Sequence, residues 1–291
     1  MENRELGIAF IGAGKVGCSL GKWFSEGGVR LCGYSSRTFE SARFAADFTG
    51  SEAYTDIEDL VTNAGVIFLT AGDGELEKIA GSLDKDILRD KILVHCSGSL
   101  SVKEVFKDRG NCFSLHPLYP FSSKTDCYKG LNGCFFTLES SQEYDAEAVL
   151  ALENMVKSCG GNVRRMDGSC KSRYHAACVF ASNLVCGVLA EAGGLMESCG
   201  FEEADAMNAL APLIRANIEA CIRKGPVDAL TGPVERGDAG TVEKHIRALE
   251  GTESLEIYEV LSRKLTELGS LRHPERDYSE IKSLLAETGG M

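Results

Sequence analysis

Four polar side chains in the second half of the chain stand where they could assist a carbonyl reduction. Lys171 and His175 lie four residues apart and so share a helix face, and Ser182 and Asn183 follow two turns later on nearly the same stripe. Groups of this kind polarise an oxygen, deliver a proton and orient a substrate while hydride reaches carbon. Polar groups on an otherwise apolar helix are costly to bury unless they pair or meet a ligand. The competing reading makes His175 a satisfied core histidine and Asn183 a helix-packing hydrogen bonder. A second set, Ser97-Gly98-Ser99, follows the strand ending at His95; its hydroxyls and N–H groups suit a substrate carboxylate, and equally suit a cap for a helix from Ser101. His116-Pro117-Leu118-Tyr119-Pro120-Phe121 then closes the next strand with two fixed-φ prolines. It reads as a rigid loop with aromatic walls at the same edge, or as a mere turn.

The hydride source is legible at the start of the chain. An apolar strand, Leu6 to Ile11, runs into Gly12-Ala13-Gly14-Lys15-Val16-Gly17 and then into an amphipathic helix. Gly12 permits the tight turn, Gly14 lets a pyrophosphate approach the backbone, and Gly17 lets helix pack on strand. The helix N-terminus turns free N–H groups and its positive dipole end toward the anion. At the end of the second strand, about 20 residues past the first glycine, an NAD site would carry an acid for the ribose 2′-hydroxyl. Ser35-Ser36-Arg37 stands there instead. Two hydroxyls and a guanidinium suit a 2′-phosphate, which points to NADP(H); the alternative leaves Arg37 as a solvated residue at the start of the next helix. Ala71-Gly72-Asp73 ends another strand and reads as cofactor-facing backbone.

Strands and helices alternate through the first half, with strands at Val66–Thr70, Ile92–His95, Cys112–Leu115, Cys134–Leu138 and Asn162–Arg165. This implies an α/β fold, a Rossmann doubly wound parallel sheet with its ligand crevice off the strands' carboxyl ends. Past Asp167 strand signals stop and helices are expected over 169–199, 202–223 and 240–268, with a tail from Arg276. The expected division is 1–167 for cofactor binding and 168–291 for an all-α domain. The 291 residues suffice for both, and 44% hydrophobic with 25% charged content is ordinary for a globular protein. A net charge of −12 without a basic run argues against nucleic acid or anionic membrane as partner. No signal peptide is expected, and the apolar run 176–190 reads as a buried helix, too short to span a bilayer comfortably. The 12 cysteines lack metal-site spacing and read as small buried hydrophobes in a reducing cytoplasm, so no metal is expected.

Several motifs together carry a resemblance: Gly12 to Gly17, His95-Cys96-Ser97-Gly98, His116-Pro117-Leu118, Lys171-Ser172-Arg173-Tyr174-His175-Ala176-Ala177 with Ser182-Asn183, and Gly232-Pro233-Val234-Glu235-Arg236-Gly237-Asp238. Over nearly its whole length the chain resembles a bacterial family pairing a Rossmann-like NADP-binding domain with a C-terminal all-helical domain. That family carries the general label of NADP oxidoreductase, of deazaflavin-dependent type by distant similarity. It is similar in plan to 6-phosphogluconate, 3-hydroxyisobutyrate, pyrroline-5-carboxylate and ketopantoate dehydrogenases or reductases, and some members resemble an alternative ketopantoate reductase. The resemblance implies that Ser97-Gly98 is a substrate-binding turn and that Lys171 matches a catalytic lysine. His175 stands where relatives keep an asparagine or similar polar group, which leaves lysine and histidine both open as proton donor.

The expected function is NADPH-dependent reduction of a small 2-oxo acid such as ketopantoate. Lys171, His175 and Asn183 would be catalytic, and Ser97, Gly98, His116 and Arg236 would bind substrate. The alternatives are a sensor or regulatory protein that keeps the coenzyme and lacks turnover, and a reductase of an imine or deazaflavin substrate. The apolar length of the second-domain helices suggests a homodimer.

Overall fold

The computed structural model describes residues 7–107 and 109–287; Leu6, expected to open the first strand, lies outside them. The chain divides into two compact units, Met1–Leu184 and Val185–Met291. Strand patterning alone puts the division at 167. The first unit runs further because the helix that follows is tied to the sheet by its first residue, Lys171, which is 2% exposed.

The first unit holds eight strands: β1 (Ile8–Ile11), β2 (Leu31–Ser35), β3 (Glu52–Ala53), β4 (Val66–Leu69), β5 (Ile92–His95), β6 (Cys112–Pro117), β7 (Phe135–Ser140) and β8 (Asn162–Arg165). Between them lie α1 (Lys15–Glu26), α2 (Phe39–Thr49), α3 (Ile57–Thr62), α4 (Asp73–Ser82), α5 (Val102–Phe106) and α6 (Ala146–Ser158). The sheet order is β3-β2-β1-β4-β5-β6-β7-β8. β1 and β4 are apolar without a break, and β5 up to its last residue, His95, because both their faces are covered. Phe10, Phe68 and Val94 pack with α1, α2 and α6 on one side, and Ile11, Leu69 and Leu93 with α3, α4 and α5 on the other.

The parallel sheet has one departure, since β7 runs antiparallel to β6 while β8 runs parallel to β7. Between β6 and β7 the only helical turn is a short 3-10 segment, Cys127–Gly130. A parallel neighbour needs a crossover, usually a helix, and without one the chain turns back antiparallel. The register puts Ser114 opposite Glu139 and His116 opposite Thr137. Ser114 also faces His95 of β5. Polar side chains of three strands therefore share one face.

The helix expected over 169–199 is two helices, α7 (Lys171–Ala181) and α8 (Asn183–Ser198). Ser182 between them adopts φ −133° and ψ −79°, and its hydroxyl donates to the carbonyl of Cys178 at 2.7 Å. Such back-bonding competes with the helix ladder. The stretch Gly168–Ser198 is long and apolar enough to cross a membrane, and only 6% of its most apolar window is buried. The expectation of a buried helix over 176–190 is therefore corrected: Phe180 is 70% exposed, and Leu184 and Val188 are exposed too. Apolar content set that expectation, but among the described residues these side chains are left exposed.

The second unit continues with α9 (Glu203–Lys224), α10 (Pro226–Ala229), α11 (Pro233–Arg236), α12 (Ala239–Leu249), α13 (Glu253–Arg272) and α14 (Ser279–Glu287). The single helix expected over 240–268 is broken before α13, where Gly251 takes a left-handed φ of +75°. Val234, Val242, Ile246, Tyr278, Ile281 and Leu285 form this unit's core. Of the cysteines, Cys18 and Cys32 are buried as expected, whereas Cys186 is exposed on the uncovered α8.

Candidate active site

The glycine loop lies at the carboxyl end of β1. Gly12 has φ +119°, and a Cβ there would stand 2.7 Å from the backbone of Thr70 and Ala71. A Cβ on Gly17 would lie 2.3 Å from the carbonyl oxygen of Gly12, so helix and turn touch as the motif requires. Gly14 differs, since the nearest atom to its Cβ position is 3.9 Å away. It is also the N-cap of α1 and offers no side-chain cap, so the first-turn N–H groups of that helix are left for an anion. A backbone packed tightly behind and open in front fits a dinucleotide pyrophosphate. Beside it, buried Ser35 accepts the Gly12 N–H through its carbonyl at 2.8 Å. Ser36 is half-buried and Arg37 exposed. Capping of α2 falls to Thr38, whose side chain accepts from the Ser41 N–H.

A polar cluster lies at the carboxyl end of β5 and β6 under α7. Lys171 Nζ donates to Ser114 Oγ and stands 3.5 Å from Glu139 Oε2. Both ionic side chains are buried, and Glu139 Oε1 accepts the Val102 N–H at 2.9 Å. One helical turn on, the Tyr174 hydroxyl is 2.6 Å from His116 Nδ1, with the two rings edge to face. Gly98 sits against this group: a Cβ there would be 2.7 Å from both His116 Nε2 and His175 Cδ2. Lys171, Tyr174 and His175 lie at i, i+3 and i+4, the positions that share a helix face, while Ser172, Arg173, Ala176 and Ala177 are exposed.

Comparison with known proteins places these two features in one framework. Residues 7–98 match the family "NADP oxidoreductase coenzyme F420-dependent", and residues 134–265 match "Domain of unknown function (DUF2520)". The chain joins an NADP-binding Rossmann domain to a DUF2520 domain. A Bacteroides fragilis protein assigned as an NADP oxidoreductase is 25% identical, with a TM-score of 0.69 over 90% of this chain and 98% of its own. A Thermotoga maritima protein is 23% identical, with a TM-score of 0.73 over 91% of this chain and 99% of its own. At 14% identity, the NADP-bound pyrroline carboxylate reductase of Plasmodium falciparum shares the fold, with a TM-score of 0.60 over 92% and 99%. No curated protein sequence matches the chain.

The cluster's electrostatics follow from burial. Desolvation lowers the Lys171 pKa and raises that of Glu139, each being partly offset by the other. Burial, reinforced by Lys171 and then His175, takes His116 down to about 4, against a small opposing pull from Asp73. His95 is fully buried and goes down to about 3 through desolvation first, then Lys171 and His116. His95 Nδ1 accepts the Ser97 N–H at 3.2 Å, so the neutral ring carries its proton on Nε2.

Because the folded pKa of His95 lies below the unfolded value near 6.5, the unfolded chain binds the extra proton. Stability is therefore unaffected by this group above about pH 6.5 and falls as pH drops toward 3, by roughly 2 kcal/mol at pH 5. Urea melts at pH 7.5 and 5.0 should show that loss. His95→Asn, which keeps an acceptor for Ser97, should show a smaller one.

The first unit brings Ser97, Gly98, His116, Lys171 and His175 together. Ser97 Oγ donates to Asp73 Oδ2 at 2.9 Å and accepts the N–H groups of Ser99 and Leu100, so its hydroxyl is fully engaged. Asp73, expected as cofactor-facing backbone, uses its carboxylate to hold Ser97 and Ser99. Capping of α5 belongs to Ser101 in a capping box with Glu104. Lys171, expected beside the substrate, lies beneath the surface on Ser114 and Glu139. Asn183 follows the break at Ser182, and Arg236 belongs to the second unit. Glu139, Ser114 and Tyr174 escaped the sequence reading. The signal for Ser114 and Glu139 was polar residues at alternate positions, 114 and 116 on β6 and 137 and 139 on β7, among apolar ones.

A cavity of about 730 Å³ is lined partly by Glu139, Lys107 and Arg109. These cations are engaged, Lys107 by Glu77 and Arg109 by the Ala80 carbonyl.

Proposed function

We propose that this protein is an NADPH-dependent reductase of a small carbonyl compound, with a 2-oxo acid such as ketopantoate as its substrate class. The observation that carries the reading is the meeting of two imidazoles, His116 and His175, over the bare backbone of Gly98, in the unit that holds the NADP loop. When bound, NADPH supplies the hydride. Gly12 to Gly17 and the α1 N-terminus hold the pyrophosphate, and Ser36 with Arg37 holds the 2′-phosphate. His116 donates a hydrogen bond to the substrate oxygen, and His175, half-buried beside it, delivers the proton that oxygen takes up. Between the two proton donors that the sequence leaves open, burial of Lys171 favours His175. Lys171 and Glu139 act by fixing the first turn of α7, and with it His175, on the sheet.

NADPH oxidation measured against 2-oxo acids, cyclic imines and an oxidised deazaflavin tests this reading. Turnover with a 2-oxo acid is expected; turnover with an imine or deazaflavin alone would move the substrate class, and tight NADPH binding with no turnover would favour a sensor. Arg37→Ala should reduce the preference for NADPH over NADH by roughly ten- to a hundredfold, about what loss of a charged hydrogen bond costs. An unchanged affinity ratio would remove Arg37 from the phosphate site.

We further propose a homodimer formed through the helical unit. On α8 and α9 Val188, Leu195, Leu213, Ile218 and Ile222 are exposed, the last at 81%, and neither helix contributes to that unit's core cluster. Apolar patches of this extent mark association surfaces. Sedimentation equilibrium at micromolar protein should give twice the chain mass; a monomer would contradict the proposal.

A further inference from the structure

The hydroxyl of Tyr174 is the one polar atom in the cluster whose position explains how His116 can serve as a donor. We infer that Tyr174 is a positioning residue: its hydroxyl donates to His116 Nδ1 at 2.6 Å and holds the imidazole as the tautomer with its proton on Nε2, the nitrogen that faces Gly98. The inference deepens the reductase reading and rests on it for the identity of the group that meets Nε2.

The direction of the hydrogen bond follows from the chemistry of the pair. A phenol is a stronger donor than a neutral imidazole N–H, and an imidazole nitrogen is a better acceptor than a phenol oxygen. Burial holds the phenol protonated and the imidazole neutral. A neutral imidazole has one N–H, so accepting at Nδ1 leaves Nε2 as the donor. Without the hydroxyl the two tautomers compete, and a ring with its lone pair toward Gly98 would repel a developing oxyanion. The hydroxyl also restrains ring rotation, and the edge-to-face contact, with ring centroids 5.6 Å apart, supplies packing that a phenylalanine would keep. His116 retains its proton throughout; it stabilises charge on the oxygen, and the proton that completes the alcohol comes from His175.

Two measurements test this together. Long-range proton–nitrogen NMR of the wild-type protein should show His116 as a single Nε2–H tautomer at pH 7, and Tyr174→Phe should convert it to a mixture. In the same variant kcat should fall roughly ten- to a hundredfold, in keeping with one lost pre-organising contact, with the Kd for NADPH unchanged. A wild-type His116 protonated on Nδ1 would overturn the inference, as would a Phe variant with unaltered tautomer and kcat. If no carbonyl compound is reduced, the reductase reading falls, and the NMR result still decides the role of Tyr174. Should the variant not fold, the wild-type tautomer alone decides it.

Discussion

Replacing Glu139 with alanine is expected to cost roughly 3–5 kcal/mol of stability, because it leaves the Lys171 ammonium buried without its counter-charge. Lys171 is 2% exposed and Glu139 5%, so water cannot substitute for either partner. The same substitution also removes the acceptor for the Val102 N–H, which the carboxylate holds at 2.9 Å. Glu139→Gln combined with Lys171→Met keeps that acceptor and removes both charges, and most of the stability should return. Urea unfolding of the three proteins checks this. A Glu139→Ala protein within about 1 kcal/mol of wild type, the range of an exposed pair, would mean the ion pair contributes no more than one on the surface. The pair has a second consequence, because it fixes the start of α7: in the alanine variant His175 should lose its place over Gly98, and turnover should fall even in molecules that remain folded.

Gly98→Ala is expected to lower kcat roughly a hundredfold while leaving the Kd for NADPH unchanged, since displacements near 1 Å in a reacting group have effects of this size. The added methyl would lie 2.7 Å from atoms of both His116 and His175, inside contact distance. Gly98 does not have a left-handed φ, so alanine is not strained by its own backbone. One or both rings must therefore shift, and a shift of His116 away from Gly98 disturbs its bond to Tyr174. Steady-state kinetics with coenzyme binding measured separately checks this. Unaltered kcat would show that neither ring needs its present position.

The glycine loop, the alternation of strands and helices in the first half and the helical second half were legible because each rests on short-range pattern: glycine spacing, apolar runs and the end of strand signals. The reversal of β7 was not, because it depends on whether a crossover helix fits between Pro117 and Phe135. That segment carries no clear helical periodicity in either sense. The break at Ser182 was missed because a serine in an apolar helix gives the same pattern whether its hydroxyl faces solvent or the carbonyl of Cys178. Within the site, the shared face of Lys171 and His175 was readable from their spacing. The depth of Lys171 was not, since its partners Ser114 and Glu139 lie 57 and 32 positions away along the chain. Tyr174 lay inside a recognised motif yet drew no attention, because its role comes from His116 on another strand.

The structural consequence is a division of labour within the cluster. In the proposed account buried ions hold the helix, a phenol sets a tautomer, and two imidazoles over a glycine meet the substrate. A crystal structure of the complex with NADPH and an unreactive carboxylic acid tests that division most directly. The acid is expected against Gly98, with its oxygen on His116 Nε2 and the reactive ring of the coenzyme beside it; an acid bound elsewhere, with both imidazoles untouched, would contradict the account.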